Sequence, residues 1–380
     1  MSKAKQAEKK GKEKSSAAAT ASSRDFSESD SDDGSDDGSD GLLPLDISPV
    51  HYALRLVPNY ADWTFRARLV VSLCITAQTD LLQFNAADLE IDQATVRIGA
   101  SSSPSSAAAA AAAAAKHESD LTPTSIKHDE EEEVTTLRFD APLPVGDATL
   151  IIEYRGRIGD QMIGLYRSHY VHAGAQHTIL VTQFEACDAR RCLPCWDEPA
   201  RKATFALTLV VPSEMQALGN MPIVSSKLLT EPEPDRPDML QKGQSWTEVS
   251  FDVTPVMSSY LLAFAIGRFE SVQTSTKTGT LVRVLTPLGK IAEADFSLDL
   301  GRRCLEFYED FFGLAYPLPK MDLVCVPDIA ITAMENWGLI TFGETVLLVH
   351  PTDTSLTAKH YAARIVAHEI AHQWVRKQSE

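Results

Sequence analysis

The chain has 380 residues, 44% of them apolar, a formal charge of −17 and a pI near 5.0. That length and apolar content can fill the cores of two soluble globular domains. The acidity disfavours docking on nucleic acid or anionic lipid, since both are polyanions; no partner of either kind, nucleic acid or membrane, is expected.

Residues 1–42 run from the basic MSKAKQAEKKGKEK into SSRDFSESDSDDGSDDGSD. They lack the apolar core of a signal peptide, which points to a cytoplasmic protein, and too few apolar residues offset the entropy of ordering, so a solvated low-complexity tail is expected. From Leu43 the texture becomes alternating: HYALRLVP, FRARLVVSLCIT, DLLQFNA, ATVRIGA, TTLRFDAPL, ATLIIEYRG, then TILVTQFE, ATFALTLVVP, TEVSFDVTPV and YLLAFAIGRFE. A period of two bounded by Pro, Gly and Asp predicts half-buried strands, hence an N-terminal antiparallel β domain, a sandwich or saddle, over 43–268. The longest apolar runs here, LVVSLCITA and SSYLLAFAIG, fall short of the roughly 18 residues that a membrane-spanning helix needs. The Ala-rich and acidic stretch at about 100–133 reads as a low-complexity surface insertion.

Six cysteines are too few and too scattered for a disulfide framework. Cys192 and Cys195 form a CxxC without a second pair or a nearby histidine pair, and are expected to be reduced packing residues.

Over 269–380 the pattern turns mixed. TLVRVLTP, MDLVCVP and LITFGETVLL predict strands, FSLDLGRRCLEFYEDFFG predicts a helix ending at Gly313, and SLTAKHYAARIVAHEIAHQWVRK predicts a long helix capped by Ser355. On that helix His368 and His372 are four apart, so their imidazoles project from one face and can converge on one metal ion. Glu369 sits where its carboxylate reaches a water on that ion without ligating it, the arrangement of a zinc peptidase. HExxH arises by chance in about one or two per cent of chains of this size and composition, which makes its position on a predicted amphipathic helix informative. Some 33 residues upstream, AMENWG places Glu335 in an apolar setting between two strands.

Three blocks, TQFEACDARRCLPCWDEPARKATFALTL (182–209), AMENWGLITF (333–342) and VAHEIAHQW (366–374), resemble the aminopeptidase N family of zinc aminopeptidases, most closely its cytosolic puromycin-sensitive branch. The resemblance implies a multidomain fold, β then α+β, in which the β domain precedes the start of a thermolysin-like zinc peptidase domain. It implies one Zn²⁺ per complete site, with His368 and His372 as ligands and Glu369 as general base. Glu335 and Glu185 are implied to hold the free α-amino group of a peptide substrate, and Gln183, Ala333, Met334 and Asn336 to line the peptide. Two carboxylates that bind an ammonium confine cleavage to the first peptide bond, because an internal segment would leave both unpaired. Thr332 departs from the family pattern, which has glycine there. The resemblance also implies a third ligand, a glutamate on a following helix, and an oxyanion-stabilising tyrosine; Glu380, eight residues past His372, maps onto neither. The expectation is an incomplete or inactive fragment of a zinc aminopeptidase, with a non-catalytic interaction module as the alternative. A thermolysin-like endopeptidase shares the zinc helix but has no use for Glu335 and Glu185.

Overall fold

Alternation of apolar and polar side chains produces the predicted strands, and their order sets where the site forms. The computed structural model describes residues 42–99, 120–232 and 245–375; the expected tail and the Ala-rich half of the insertion lie outside the described residues. An eight-stranded sheet runs in the order Ile223–Leu228, Trp246–Phe251, Thr204–Pro212, Ile47–Asn59, Thr64–Ile75, Gly146–Arg157, Leu89–Ile98 and Asp120–Leu121. Every neighbour pair is antiparallel except Ile47–Asn59 with Thr204–Pro212, which run parallel from His51 opposite Thr204 to Leu56 opposite Leu209. Parallel pairing requires a long crossover, and the whole intervening chain supplies it. The sheet is otherwise the antiparallel one expected, and this one parallel pair is its exception.

A correction concerns the insertion. Asp120–Leu121 extends the large sheet, and Ser125–Asp129 pairs with Val134–Leu143 in a three-stranded sheet completed by Thr79–Asn85. Glu130, Glu131 and Glu132 are exposed, as expected of an acidic turn. Glu133 instead accepts from Arg190 at 3.1 Å and Arg191 at 2.7 Å, tying the turn to the segment that carries Glu185.

A four-stranded sheet, Gln216–Gly219, Phe264–Gly267, Ala175–Gln183 and Gly164–His172, delivers the chain to Gln183. The segment that follows is anchored by large buried side chains. Trp196 is 1% exposed and its backbone N–H donates to Tyr52 Oη at 3.1 Å, while Tyr154 Oη donates to the Cys192 carbonyl at 2.9 Å. Cys192 and Cys195 are free and wholly buried, and burial pushes both thiols far above their ordinary range. Thiols so placed are packing groups rather than redox ones.

The last sheet is mixed: Phe269–Ser275, Leu281–Pro287, Lys320–Val326, Leu339–Gly343 and Ala333–Met334. Its central strand Lys320–Val326 is parallel to both neighbours and buried at every residue, the expected state of a strand covered on two faces. Helix α1 (Asp295–Phe312) makes the crossover before it and ends at Gly313, whose φ of +65° is the left-handed C-terminal position that favours glycine. The run LITFGETVLL divides: it leaves its strand at Gly343 and forms the single turn α2 (Glu344–Leu347). Helix α3 (Leu356–Val375) begins as predicted, with Ser355 Oγ accepting from the Ala358 N–H at 3.2 Å. Tyr308 of α1 donates to the Ala367 carbonyl at 3.0 Å, and Trp374 packs among Tyr308, Phe312 and Tyr316. Among the described residues no helix is long and apolar enough to cross a membrane.

Candidate metal and amine-binding site

The helical repeat does what the spacing predicts: His368 Nε2 and His372 Nε2 stand 3.1 Å apart, with their rings nearly perpendicular. Two imidazole nitrogens bound to one tetrahedral zinc lie about 3.3 Å apart, from Zn–N bonds of about 2.05 Å, so this pair fits the ion with a shift of a few tenths of an ångström. Among the described residues no three His, Cys, Asp or Glu side chains are grouped to hold a metal, so the described site offers two ligands. His372 turns its other nitrogen toward Glu335, with Nδ1 3.9 Å from Oε1. That distance is too long for a hydrogen bond.

Glu369 lies on the buried side of α3, 6% exposed, and its carboxyl is pushed up to about 7 by burial first and by the like charges of Glu335 and Glu185 second. Glu335, 7% exposed, is likewise raised, by burial and by Glu185; its own backbone N–H and the two histidines act in the opposite direction. Glu185, Glu335 and Glu369 therefore form one electrostatic cluster beside the histidine pair. Glu185 is exposed on its loop, whereas Glu335 lines a cleft of about 740 Å³ together with His372 and Gln373. The walls of that cleft are largely apolar, from Pro255, Val256, Met257, Tyr260, Leu261 and Trp337.

The other predicted residues divide by burial. Gln183 is 4% exposed at the end of its strand, and its Oε1 finds no hydrogen-bond partner among the described residues. Ala333 is half-buried; Met334 is wholly buried and Asn336 nearly so, with Asn336 Nδ2 also lacking a partner among the described residues. Thr332 is exposed, and its carbonyl accepts from the Gly343 N–H at 3.1 Å.

Sequence reasoning missed the groups that hold the Met334–Gly338 turn. Asn220 Nδ2 donates to the carbonyls of Trp337 at 2.9 Å and Leu261 at 2.8 Å, and its Oδ1 accepts from Ala263. Lys320, 3% exposed, donates to the carbonyls of Gly338 at 2.7 Å and Gly219 at 2.6 Å and to Asp322 at 2.7 Å. Arg283 grips the same Asp322 through two bonds of 2.6 Å. Burial lowers the Lys320 ammonium from its ordinary range while Asp322 opposes that shift. Gln373, next to a predicted ligand, donates from Nε2 to the Glu335 carbonyl at 3.0 Å and accepts at Oε1 from the Gly338 N–H and from Tyr316 Oη, both at 3.2 Å. Nothing in residue type or spacing marks Asn220 or Lys320; Gln373 had only its place in the zinc-helix block.

Residues 48–261 match the Peptidase M1 N-terminal domain, and residues 296–376 match the Peptidase family M1 domain. Aminopeptidase M1-B of Oryza sativa subsp. japonica is 41% identical over 332 residues, which cover 87% of this chain and 34% of that protein. Aminopeptidase M1 of Arabidopsis thaliana is 40% identical, covering 87% of this chain and 35% of the relative. The puromycin-sensitive aminopeptidase of Caenorhabditis elegans is 35% identical, with 87% and 32% covered. The chain thus spans about a third of the length of the curated relatives it matches.

Proposed function

The chain belongs to peptidase family M1, and from that premise we propose that it carries the amine-anchoring and two-histidine part of a zinc aminopeptidase site acting on peptides with a free N-terminus. The observation that carries this reading is the convergence of Glu335, Glu185 and Glu369 beside two histidine nitrogens 3.1 Å apart. The names of the relatives, aminopeptidases of plants and of a nematode, support it. A cytoplasmic location is part of the same proposal and rests on the likeness to the puromycin-sensitive branch.

In this reading His368 and His372 hold zinc, which when bound supplies Lewis acidity toward the scissile carbonyl and acidifies water. Glu369 takes the proton of the attacking water. Burial and the neighbouring carboxylates raise the Glu369 carboxyl in the metal-free site, and a bound dication would oppose that shift and favour the ionised base. Glu335 and Glu185 pair with the substrate ammonium, which cancels the repulsion between them. An acylated or internal segment brings no ammonium to Glu335 and Glu185 and forgoes that charge-assisted pairing.

The test uses a zinc-loaded protein in which this chain is completed by the third ligand that the resemblance implies, with leucine 4-nitroanilide and its N-acetylated counterpart. Hydrolysis of the free amine alone, abolished by Glu369→Gln with zinc still bound, is the expected result; equal cleavage of both substrates overturns the amine anchor. A non-catalytic interaction module is the alternative reading. A protein that retains no zinc at micromolar concentration and turns over neither substrate overturns the enzymatic reading.

A further inference from the structure

The Glu335 carboxylate and the histidine pair stand on different elements, one in a turn between strands and the other on α3. Their separation is fixed by whatever joins the two. Gln373 follows His372 directly, and its amide reaches both ends of the turn at once: Nε2 donates to the Glu335 carbonyl, and Oε1 accepts from the Gly338 N–H. The amide can sit only one way round, because the Gly338 N–H can only donate and the Glu335 carbonyl can only accept. Tyr316 Oη locks that orientation from behind with a third bond to Oε1, and the Tyr316 backbone N–H is itself held by Glu309 at 2.9 Å. Gln373 is 4% exposed, so water cannot replace these bonds without opening the seam between turn and helix.

We infer that Gln373 is a positioning residue for substrate recognition: it sets the distance between the amine anchor Glu335 and the metal-facing side of α3, and so governs selectivity for a free amino group. This rests on the amine-anchor reading proposed above. Gln373 borders the cleft, but its amide is committed to the turn and to Tyr316. It acts through Glu335, whose backbone carbonyl it holds, and a shift of about 1 Å in such an anchor is enough to cost on the order of a hundredfold in a positioned interaction.

The experiment compares binding of L-leucinamide and N-acetyl-L-leucinamide to the metal-free chain by NMR titration, in the wild type, Gln373→Met and Tyr316→Phe. Methionine matches glutamine in length and removes all three bonds. Tyr316→Phe removes one bond from the far side of the amide and leaves both contacts with the turn, so it reports what a loss of local stability does by itself. The expected result is a wild-type preference for the free amine that falls at least tenfold in Gln373→Met and is kept within twofold in Tyr316→Phe. An unchanged preference in a folded Gln373→Met overturns the inference while leaving the amine anchor standing. Equal loss in both variants also overturns it, since a purely structural role would act that way. A wild type that binds both ligands alike removes the amine anchor and this inference together. Should Gln373→Met not fold, Gln373→Asn, which keeps a neutral amide but is one methylene too short to reach both ends of the turn, takes its place with the same thresholds.

Discussion

Gly338→Ala tests whether the Met334–Gly338 turn is held rigidly or merely packed. Gly338 has φ of +80°, and a Cβ added there would lie 2.5 Å from the Asn220 backbone oxygen and 2.8 Å from Leu318 Cδ1. Gly313, which closes α1, has nearly the same backbone conformation at φ +65°, but a Cβ there meets nothing within 4 Å. Both substitutions incur about 1–2 kcal/mol for placing an L-residue in the left-handed region, and both gain the same entropy in the unfolded chain. Those contributions cancel in the comparison, which leaves the clash. Crowding a backbone atom in a packed interior costs about 1–3 kcal/mol, so Gly338→Ala is expected to be less stable than Gly313→Ala by that amount. Asn220 cannot retreat, because its side chain is committed to Trp337, Leu261 and Ala263. Urea unfolding of the two variants, followed by tryptophan fluorescence, measures the difference. Equal midpoints would show that the turn yields, and would refute the claim that Asn220, Lys320 and Gln373 fix it.

Lys320→Met strips a buried ammonium from two carbonyls and from Asp322, which is 0% exposed and left with Arg283 alone; a loss of about 3–5 kcal/mol is expected by urea unfolding, and a loss below 1 kcal/mol contradicts it. His51 is buried against Thr204, and burial lowers its pKa from 6.5. Its neutral form is therefore favoured by folding, and stability falls as pH drops from about 6.5 toward the folded pKa; His51→Gln is expected to flatten the wild-type decline in urea midpoint between pH 7 and 5, and parallel declines would count against it. Glu369 carries a carboxyl raised from 4.5 to about 7, so its share of stability is present below pH 4.5 and lost as pH rises through about 7. Glu369→Gln is then expected to be more stable than wild type at pH 8, by up to about 3 kcal/mol at 1.36 kcal/mol per pH unit, with the gap closing by pH 4; a gap independent of pH in differential scanning calorimetry rules this out. For the metal, isothermal titration with zinc is expected to show binding by the wild type that His368→Gln and His372→Gln each weaken by at least tenfold; either variant binding as the wild type does would remove that histidine from the site.

The local repeats were legible because they are written in neighbouring residues. Four-residue spacing put His368 and His372 on one face, Ser355 announced the start of α3, and Gly313 announced the end of α1. Partner choice was not legible. A period of two says that Ile47–Asn59 is a strand, but nothing in it says that one neighbour, more than 150 residues away, lies parallel. Ser125–Asp129 was hidden because it is a mostly exposed polar edge strand without an apolar face to alternate. In LITFGETVLL an apolar run concealed a switch from strand to one helical turn, which short apolar stretches cannot distinguish. Asn220, Lys320 and Gln373 act on backbone atoms 117, 18 and 38 residues distant. Their importance exists only after folding has brought a carbonyl to them.

The charge cluster gives a reason for so much scaffold around so short a turn. Glu335 and Glu369 sit largely buried; Glu335 raises the energy of ionised Glu369, and Glu185 raises that of both. Left to itself, that repulsion would drive the turn away from α3, since the turn is joined to a strand of only two residues, Ala333–Met334. The opposing hold comes from three side chains on three separate elements, and they bond to main-chain atoms, so the hold is independent of the protonation of any acid in the site. A rigid frame of this kind keeps carboxylates in place before a cation arrives, which is the condition for the cation to gain the full electrostatic benefit without reorganising the site. The same frame carries a cost when it is loosened: repulsion then moves Glu335 first, because it is the acid on the shorter tether, while Glu369 is fixed by α3. Damage at Gly338 or Gln373 is therefore expected to reach amine recognition before it reaches the histidine pair.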